Sequence, residues 1–236
     1  MTTVGPLAAR VLPWVVGPWI IVALGLIFLV VPTEADQGIV QRIFYVHVPS
    51  AWTAFLAFFV VCIASIGFLA TRRPSWDHAA KASAEIGIVF CSLVLLTGPI
   101  WARPIWGVWW TWDPRLTMTV ILWTIYATYL ILRSYGGGDE SIARYAAVLG
   151  IVGAINIPVI IVSVRLWRGM HPAVLMTREG GSGLLDPMMR LTLYFTALGF
   201  LLFFAWLVTI RVRMLRCRES IDRIRDERDP AWEGAS

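Results

Sequence analysis

Long apolar runs constrain this chain more than any other feature of its sequence. Six segments are apolar over windows of about 19 residues, near residues 14–31, 51–70, 84–101, 116–132, 144–164 and 190–210. A membrane-spanning helix needs about 20 mostly apolar residues, and 58% of the 236 residues are hydrophobic against 15% charged. A β-barrel is disfavoured because its strands alternate polar and apolar residues. The sequence therefore predicts an all-α, polytopic integral membrane protein with six transmembrane helices.

The distribution of Lys and Arg predicts the orientation of these helices. With both termini in the cytoplasm, 13 of the 20 basic residues fall in inner segments and seven in outer ones, as the positive-inside rule requires. The segments 32–50, 102–115 and 165–189 then share the outer face. We expect a membrane domain over residues 1–210 and a charged cytoplasmic tail over 211–236, interpreted as a basic helix extension that forms a solvated face or a lipid-surface contact.

Several chemistries are excluded by missing motifs. The three cysteines form neither a CxxC pair nor a CxxCH, which argues against a disulfide oxidoreductase and against covalent attachment of a c-type haem to this chain. No phosphate-binding loop of the GxxxxGK[ST] type is present, so the chain is not an ATPase by itself. No nucleophile or general base stands out, enzymatic activity stays open, and no nucleic-acid partner is expected.

Tryptophan is concentrated in one predicted outer loop, residues 102–115. Five of the 13 tryptophans lie within twelve residues: Trp101, Trp106, Trp109, Trp110 and Trp112. An aromatic belt at the membrane interface explains one or two tryptophans per helix end, but not the string W-G-V-W-W-T-W-D-P-R-L-T that begins at Trp106. Several flat aromatic faces in one loop favour a platform for a large planar ligand.

Two Asp-Pro pairs and two arginines flank the predicted outer loops. Asp113 precedes Pro114 and Asp186 precedes Pro187, which predicts an N-cap followed by proline in the first helical turn. Arg103 and Arg115 are placed to pair an anionic group, and a lipid phosphate would satisfy them equally.

Two of the three histidines fall in predicted outer loops. His47 lies in R-I-F-Y-V-H-V-P-S-A-W and His171 in W-R-G-M-H-P-A-V, whereas His78 lies on the cytoplasmic side. Each alone is typical of a hydrogen-bonded interfacial histidine. Together, beside the tryptophans, they are suited to be two axial ligands of a haem iron, with outer arginines on the propionates. Met170 is a weaker alternative ligand, and zinc is disfavoured because the outer loops hold no cysteine and only two histidines.

These motifs resemble a known family. The string from Trp106 to Thr117 is similar to the WWD signature of haem-handling proteins of cytochrome c biogenesis. The His47 segment, the stretch I-N-I-P-V-I-I-V-S-V-R-L-W and the segment D-P-M-M-R resemble one branch, CcmC, the haem exporter protein C family of bacterial cytochrome c maturation. The resemblance covers most of residues 39–206.

The resemblance implies a site for haem b on the periplasmic face of the bacterial inner membrane. Its axial ligands would be two loop histidines, at positions that match His47 and His171. Family members present haem to a periplasmic haem chaperone, which binds it covalently, and they work beside a small membrane accessory subunit and the ATPase and permease of an ABC-type transporter. The WWD residues that would hold the macrocycle are Trp106, Gly107, Trp109, Trp110, Trp112, Asp113 and Arg115.

Two other functional classes stay open on the residues alone. One is a transporter scaffold or permease subunit that binds no haem and uses its tryptophans as a belt. The other is a membrane electron carrier of the cytochrome b type. Such carriers usually bury their histidines within spans, whereas His47 and His171 are predicted to flank spans.

Overall fold

Six α-helices account for nearly all of the chain that can be described. The computed structural model describes residues 6–135, 139–167 and 186–228, and no strand occurs in these ranges. The helices, numbered α1 to α6 in chain order, are Pro6–Gly25, Phe44–Thr71, Pro74–Trp106, Pro114–Tyr135, Glu140–Leu166 and Pro187–Arg228. A π-helical turn, Leu26–Val30, prolongs α1, and a 3₁₀ helix, Ile39–Ile43, leads into α2.

The prediction of six transmembrane helices is confirmed. Six helical segments within the described ranges are long and apolar enough to cross a membrane. The helices extend beyond the predicted apolar runs, because polar turns continue them at their ends. The clearest case is α6, whose 42 residues run without a break past residue 210, where we had placed the boundary between the membrane domain and the tail.

Two of the predicted outer loops, 32–50 and 102–115, are shorter in the structure than predicted. His47 was expected in a loop over 32–50, but α2 begins at Phe44 and includes both His47 and Pro49. The tryptophan loop was expected over 102–115, but α3 continues through Pro99 and Pro104 to Trp106, so that only residues 107–113 lie between helices. Membrane helices tolerate proline because neighbouring groups satisfy the freed backbone, and both helices continue through these prolines.

At the centre of the bundle, α2 packs against α3, α5 and α6, and α4 packs against α3 and α5. The Tyr126 ring of α4 stacks on Phe58 of α2 with 3.7 Å between ring centroids. Its hydroxyl donates a hydrogen bond to the Gly150 carbonyl of α5 at 2.9 Å. One fully buried side chain thus joins three helices, and its polar group is satisfied inside the bundle, as the membrane interior requires.

Glycine permits the closest helix contacts. A Cβ atom on Gly153 of α5 would lie 2.9 Å from both Ile125 and Tyr126 of α4. A Cβ atom on Gly199 of α6 would lie 2.5 Å from the Trp19 ring of α1. Small residues at such positions let helix backbones approach in membranes, where packing is the main attractive force.

One end of the bundle is held by ion pairs. These pairs join α2 to α5, α3 to α4 and α3 to α6: Arg72–Glu140, Asp77–Arg133 and Glu85–Arg211. At the same end, His78 Nε2 of α3 lies 3.3 Å from Glu219 Oε2 of α6. Arg133 contacts both carboxylate oxygens of Asp77, at 2.5 and 2.6 Å. The predicted tail therefore begins as a continuation of α6 that is tied to the first turns of α3.

Candidate functional site

The predicted site residues that the structure describes gather at the end of the bundle opposite these ion pairs. Here α3 ends, α2, α4 and α6 begin, and the loop 107–113 connects α3 to α4. Along α3, Thr97 lies 19 residues after His78, which corresponds to about 28 Å of helix, nearly the thickness of the hydrocarbon layer. His171, together with Met170, lies outside the described residues.

His47 is the fourth residue of α2 and is buried against α3, with only 6% of its surface exposed. Its Nδ1 lies 2.8 Å from the hydroxyl oxygen of Thr97. The Trp101 ring meets the imidazole edge-on at a centroid distance of 5.7 Å. Two neighbours on α3, Thr97 and Trp101, therefore fix the position of this imidazole.

A cleft opens beside His47, between α2, α3 and α4. Its enclosed volume is about 40 Å³, enough for a few water molecules, so a larger ligand would lie mostly in its open mouth. Most of its lining is apolar, contributed by residues such as Phe55, Val94 and Ile160, and its few polar groups include His47 and Arg115. Apolar walls with a small number of convergent polar groups are typical of a ligand pocket.

Trp110 separates this cleft from a second one. Trp110 lines both spaces, and the second, with an enclosed volume of about 20 Å³, is also lined by Trp106 and Trp109. The buried Nε1 of Trp110 has no hydrogen-bond partner among the described residues, although a buried N–H group normally has one.

Backbone geometry explains the non-aromatic residues of the WWD string. Gly107 ends α3 in the left-handed region, with φ of 76°, which a side chain would disfavour. The Arg103 guanidinium donates to the Gly107 carbonyl, so in this structure Arg103 braces the loop. Asp113 Oδ1 accepts a hydrogen bond from the Leu116 N–H at 2.9 Å, which confirms the predicted N-cap.

An aspartate N-cap also begins α6. Asp186 Oδ1 accepts hydrogen bonds from the backbone N–H groups of Met188 and Met189, at 2.7 and 3.2 Å. Met189 is buried with Trp101, Phe44 and Tyr45 in a small apolar cluster. The first turn of α6 is therefore packed against the elements that carry His47.

Arg115 contributes a positive charge to the cleft and has no carboxylate partner among the described residues. It lines the cleft in the first turn of α4. Within the described residues no carboxylate lies within 4 Å of its guanidinium, since the salt bridges found there involve other arginines. A partly buried guanidinium of this kind is suited to bind an anionic group of a ligand.

The other two tryptophans of the loop face outward. Trp109 is 59% exposed and Trp112 is 74% exposed, although Trp112 meets Trp110 edge-on at 5.6 Å. The four tryptophans from 106 to 112 are therefore not equivalent: Trp106 and Trp110 are partly buried, and two are open to the surroundings.

Sequence reasoning missed the residues of α3 that hold His47. Thr97 and Trp101 are four residues apart and so lie on one face of the helix, which the sequence shows once α3 is known to extend to Trp106. The described residues contain no group of three or more His, Cys, Asp or Glu side chains placed to hold a metal ion.

Comparison with known proteins agrees with the resemblance seen in the sequence. Residues 2–226 match the family model "CcmC: Heme exporter protein C". A heme exporter protein C of Bradyrhizobium diazoefficiens is 42% identical over 212 residues, which cover 89% of this chain and 79% of that protein. The corresponding proteins of Paracoccus denitrificans and Escherichia coli K12 are 34% and 32% identical, covering 87% and 84% of this chain and 86% and 82% of their own lengths. On this evidence of sequence and architecture, the chain belongs to the heme exporter protein C (CcmC) family.

Proposed function

We propose that this protein handles haem in cytochrome c maturation, binding haem b at the outer end of its helix bundle and presenting it to a periplasmic haem chaperone. The observation that carries the proposal is the position of His47. Its imidazole is buried and fixed, it lines a cleft walled by Trp110, and Nε2 makes no hydrogen bond within the described residues. An imidazole nitrogen kept free beside an apolar cleft is suited to ligate a haem iron.

His171 is the proposed second axial ligand. It lies in the segment that joins α5 to α6. Ile160 of α5 lines the His47 cleft, and the first turn of α6 packs near Trp101. Both ends of the connecting segment therefore start from the same end of the bundle as His47, which supports the pairing.

The remaining site residues are proposed to contact either the porphyrin ring or its propionates. Trp110 and Trp106 offer partly buried aromatic faces, while Trp109 and Trp112 are exposed enough to cover a ligand at the mouth of the cleft. Arg115 is the better-supported partner for a propionate, because Arg103 already donates to Gly107. Gly107 and Asp113 contribute by shaping the loop and starting α4.

We propose that the protein orients haem and does not act as an acid–base catalyst. Holding haem in one position leaves a vinyl group directed toward the nucleophile of the chaperone, and fixed geometry of this kind accelerates a reaction between two partners. The relatives are named heme exporters, which supports a place in an export complex. We propose that its partners are the ATPase and permease subunits of an ABC-type transporter and a small accessory subunit, in the bacterial inner membrane with the haem site on the periplasmic face.

A b-type electron carrier is the second candidate, and one observation favours it. The argument against it was that the histidines flank spans, but His47 lies inside α2 and within an apolar helical span. That argument no longer holds for His47. The two functions differ in what happens to the haem, because a carrier keeps its haem whereas an exporter component gives it up.

The experiment that tests the proposal combines histidine variants with a transfer assay on the purified protein loaded with haem b. His47→Ala and His171→Ala should each alter the Soret band and weaken haem retention. His78→Ala is the matched control, because His78 lies at the far end of α3 beside Glu219. Addition of the apo-chaperone should remove haem from the unmutated protein.

Three outcomes would contradict the proposal. Absence of any Soret band would favour a scaffold without haem. Retention of haem in the presence of the chaperone would favour the electron carrier. Loss of haem from the His78 variant, with the other two variants normal, would overturn the choice of ligands.

A further inference from the structure

We propose that Thr97 is a positioning residue that holds the His47 imidazole in the tautomer with its proton on Nδ1, so that Nε2 keeps its lone pair for a ligand. The inference rests on the proposed haem function, and it names a residue on α3 that determines how His47 binds.

The direction of the hydrogen bonds follows from counting protons. The Thr97 hydroxyl oxygen lies 2.6 Å from the Leu93 carbonyl oxygen of the preceding helical turn. A carbonyl only accepts, so the single hydroxyl proton of Thr97 is directed to Leu93. The contact of 2.8 Å between the Thr97 oxygen and His47 Nδ1 then needs its proton from the imidazole. A neutral imidazole that donates through Nδ1 carries no proton on Nε2.

The surroundings of the ring oppose other arrangements. Trp101 packs edge-on against the imidazole at a centroid distance of 5.7 Å. His47 is 6% exposed, so bulk water has little access to Nδ1. Thr97 is therefore the hydrogen-bond acceptor for Nδ1, and a rotated ring would lose that acceptor.

A hydrogen bond of this kind affects the metal that the imidazole ligates. When a ligating histidine donates its second ring N–H, the ring orientation is fixed and the imidazole becomes a stronger donor. Loss of such a partner typically lowers metal affinity by about 10- to 100-fold. A stronger donor also favours the ferric state, so the reduction potential of the bound haem reports on this hydrogen bond.

The test compares Thr97→Val with Thr97→Ser in the purified full-length protein, titrated with ferric haem b. Valine keeps the shape of threonine but removes the acceptor, whereas serine restores the hydroxyl. We expect Thr97→Val to weaken haem binding by roughly 10-fold or more and to shift the reduction potential to more positive values. Thr97→Ser should stay close to the unmutated protein in both measurements. Should Thr97→Val fail to accumulate in the membrane, Thr97→Ala removes the same acceptor with less bulk.

A matched control separates this role from ordinary packing. Thr53 is also buried, lies on α2 with His47, and has a hydroxyl without a partner in the described residues. Thr53→Val should leave both the affinity and the potential unchanged. In a His47→Ala background, Thr97→Val should have no further effect, because the positioned group is gone.

The outcomes distinguish this inference from the function on which it rests. If His47→Ala leaves haem affinity and spectrum unchanged, His47 is not a ligand, and both proposals fail. If His47→Ala changes them but Thr97→Val matches Thr97→Ser and the unmutated protein, only the role of Thr97 is overturned. Equal effects of Thr97→Val with and without His47 would also overturn it, since Thr97 would then act through the fold alone.

Discussion

Trp110 differs from every other tryptophan of its loop in lining two clefts and in keeping an unpaired, buried indole N–H. If the loop serves only as an interfacial belt, Trp→Ala changes should have small effects spread evenly over the string. We expect Trp110→Ala instead to lower the haem loaded onto the chaperone severalfold per molecule of this protein in the membrane, with a smaller effect at Trp112. The measurement is haem stain on the chaperone divided by membrane abundance.

Trp14 is the control for this comparison. It is 82% exposed on α1, as expected for a belt tryptophan, and Trp14→Ala should leave the ratio unchanged. An unchanged ratio for Ala at all of Trp106, Trp109, Trp110 and Trp112 would mean that the string is a belt, and haem presentation would rest on the histidines alone.

Arg115 allows the proposed propionate contact to be tested with the ligand itself. Because its guanidinium has no carboxylate partner in the described residues, Arg115→Gln should weaken binding of haem b by about 10-fold, a typical size for loss of a charge-assisted hydrogen bond. Binding of haem dimethyl ester, which lacks both propionate charges, should be equal in Arg115→Gln and the unmutated protein. Arg190→Gln, at an exposed position in the first turn of α6, is the control.

A loss of affinity that is equally large for the ester and the free acid would contradict this prediction. Arg115 would then support the fold of the loop, as Arg103 does through Gly107.

Single residues show where sequence reasoning succeeds and where it fails. The caps at Asp113 and Asp186 were predictable, because a capping interaction involves only residues within one helical turn. Thr97 was not, since its role depends on α2 and α3 packing side by side, and Thr97 is 50 positions from His47 in the sequence. The tryptophan string marked the region of the site, but not which of its members are buried.

At the scale of helices, the sequence predicted number and order but not length. Six apolar runs predict six helices because the membrane interior requires each crossing segment to satisfy its own backbone. The ends depend on polar turns held by partners elsewhere in the fold. The apolar run ends near residue 210 but the helix does not, as expected of a helix extension: Arg211 pairs with Glu85 of α3 and α6 continues.

The contact between α1 and α6 supplies a prediction at this scale. Trp19 donates from Nε1 to the Phe195 carbonyl at 2.9 Å and stacks on the Phe195 ring, so it cannot move away from a larger residue at Gly199. Gly199→Ala should destabilise the protein by about 1–3 kcal/mol through overpacking. A lower midpoint of thermal unfolding in detergent would show this.

Gly17 of α1 is the matched control, because a Cβ atom there would meet nothing within 4 Å. Gly17→Ala should be neutral or slightly stabilising, since alanine favours the helix. Equal midpoints for both variants would show that Trp19 does not fix the spacing of α1 and α6.

At the scale of the whole molecule, the described site residues and the ion pairs occupy opposite ends of the bundle. The charge bias of the sequence predicts that the site end faces outward. In a Cys217→Ser background, which removes the exposed native thiol, Thr111→Cys should react with an impermeant maleimide applied from outside. Ser75→Cys, in the first turn of α3 at the other end, should react only after the membrane is opened.

The reverse labelling pattern would place the tryptophan loop in the cytoplasm. Delivery of haem to a periplasmic protein would then be excluded, although the grouping of the described site residues at one end would stand. Sequence alone predicted this grouping through the alternation of six crossings. It did not reveal that His47 belongs to a helix or that a cleft lies beside it.

The contacts between His47 of α2 and its neighbours on α3 affect how this protein can be studied. The imidazole belongs to α2, while the residues that confine it, Thr97 and Trp101, belong to α3. If His47 ligates haem as proposed, any rearrangement that slides or separates these two helices must change the angle or strength of that bond. The absorption spectrum of a bound haem would then report the spacing of α2 and α3 in intact membranes, without an added label.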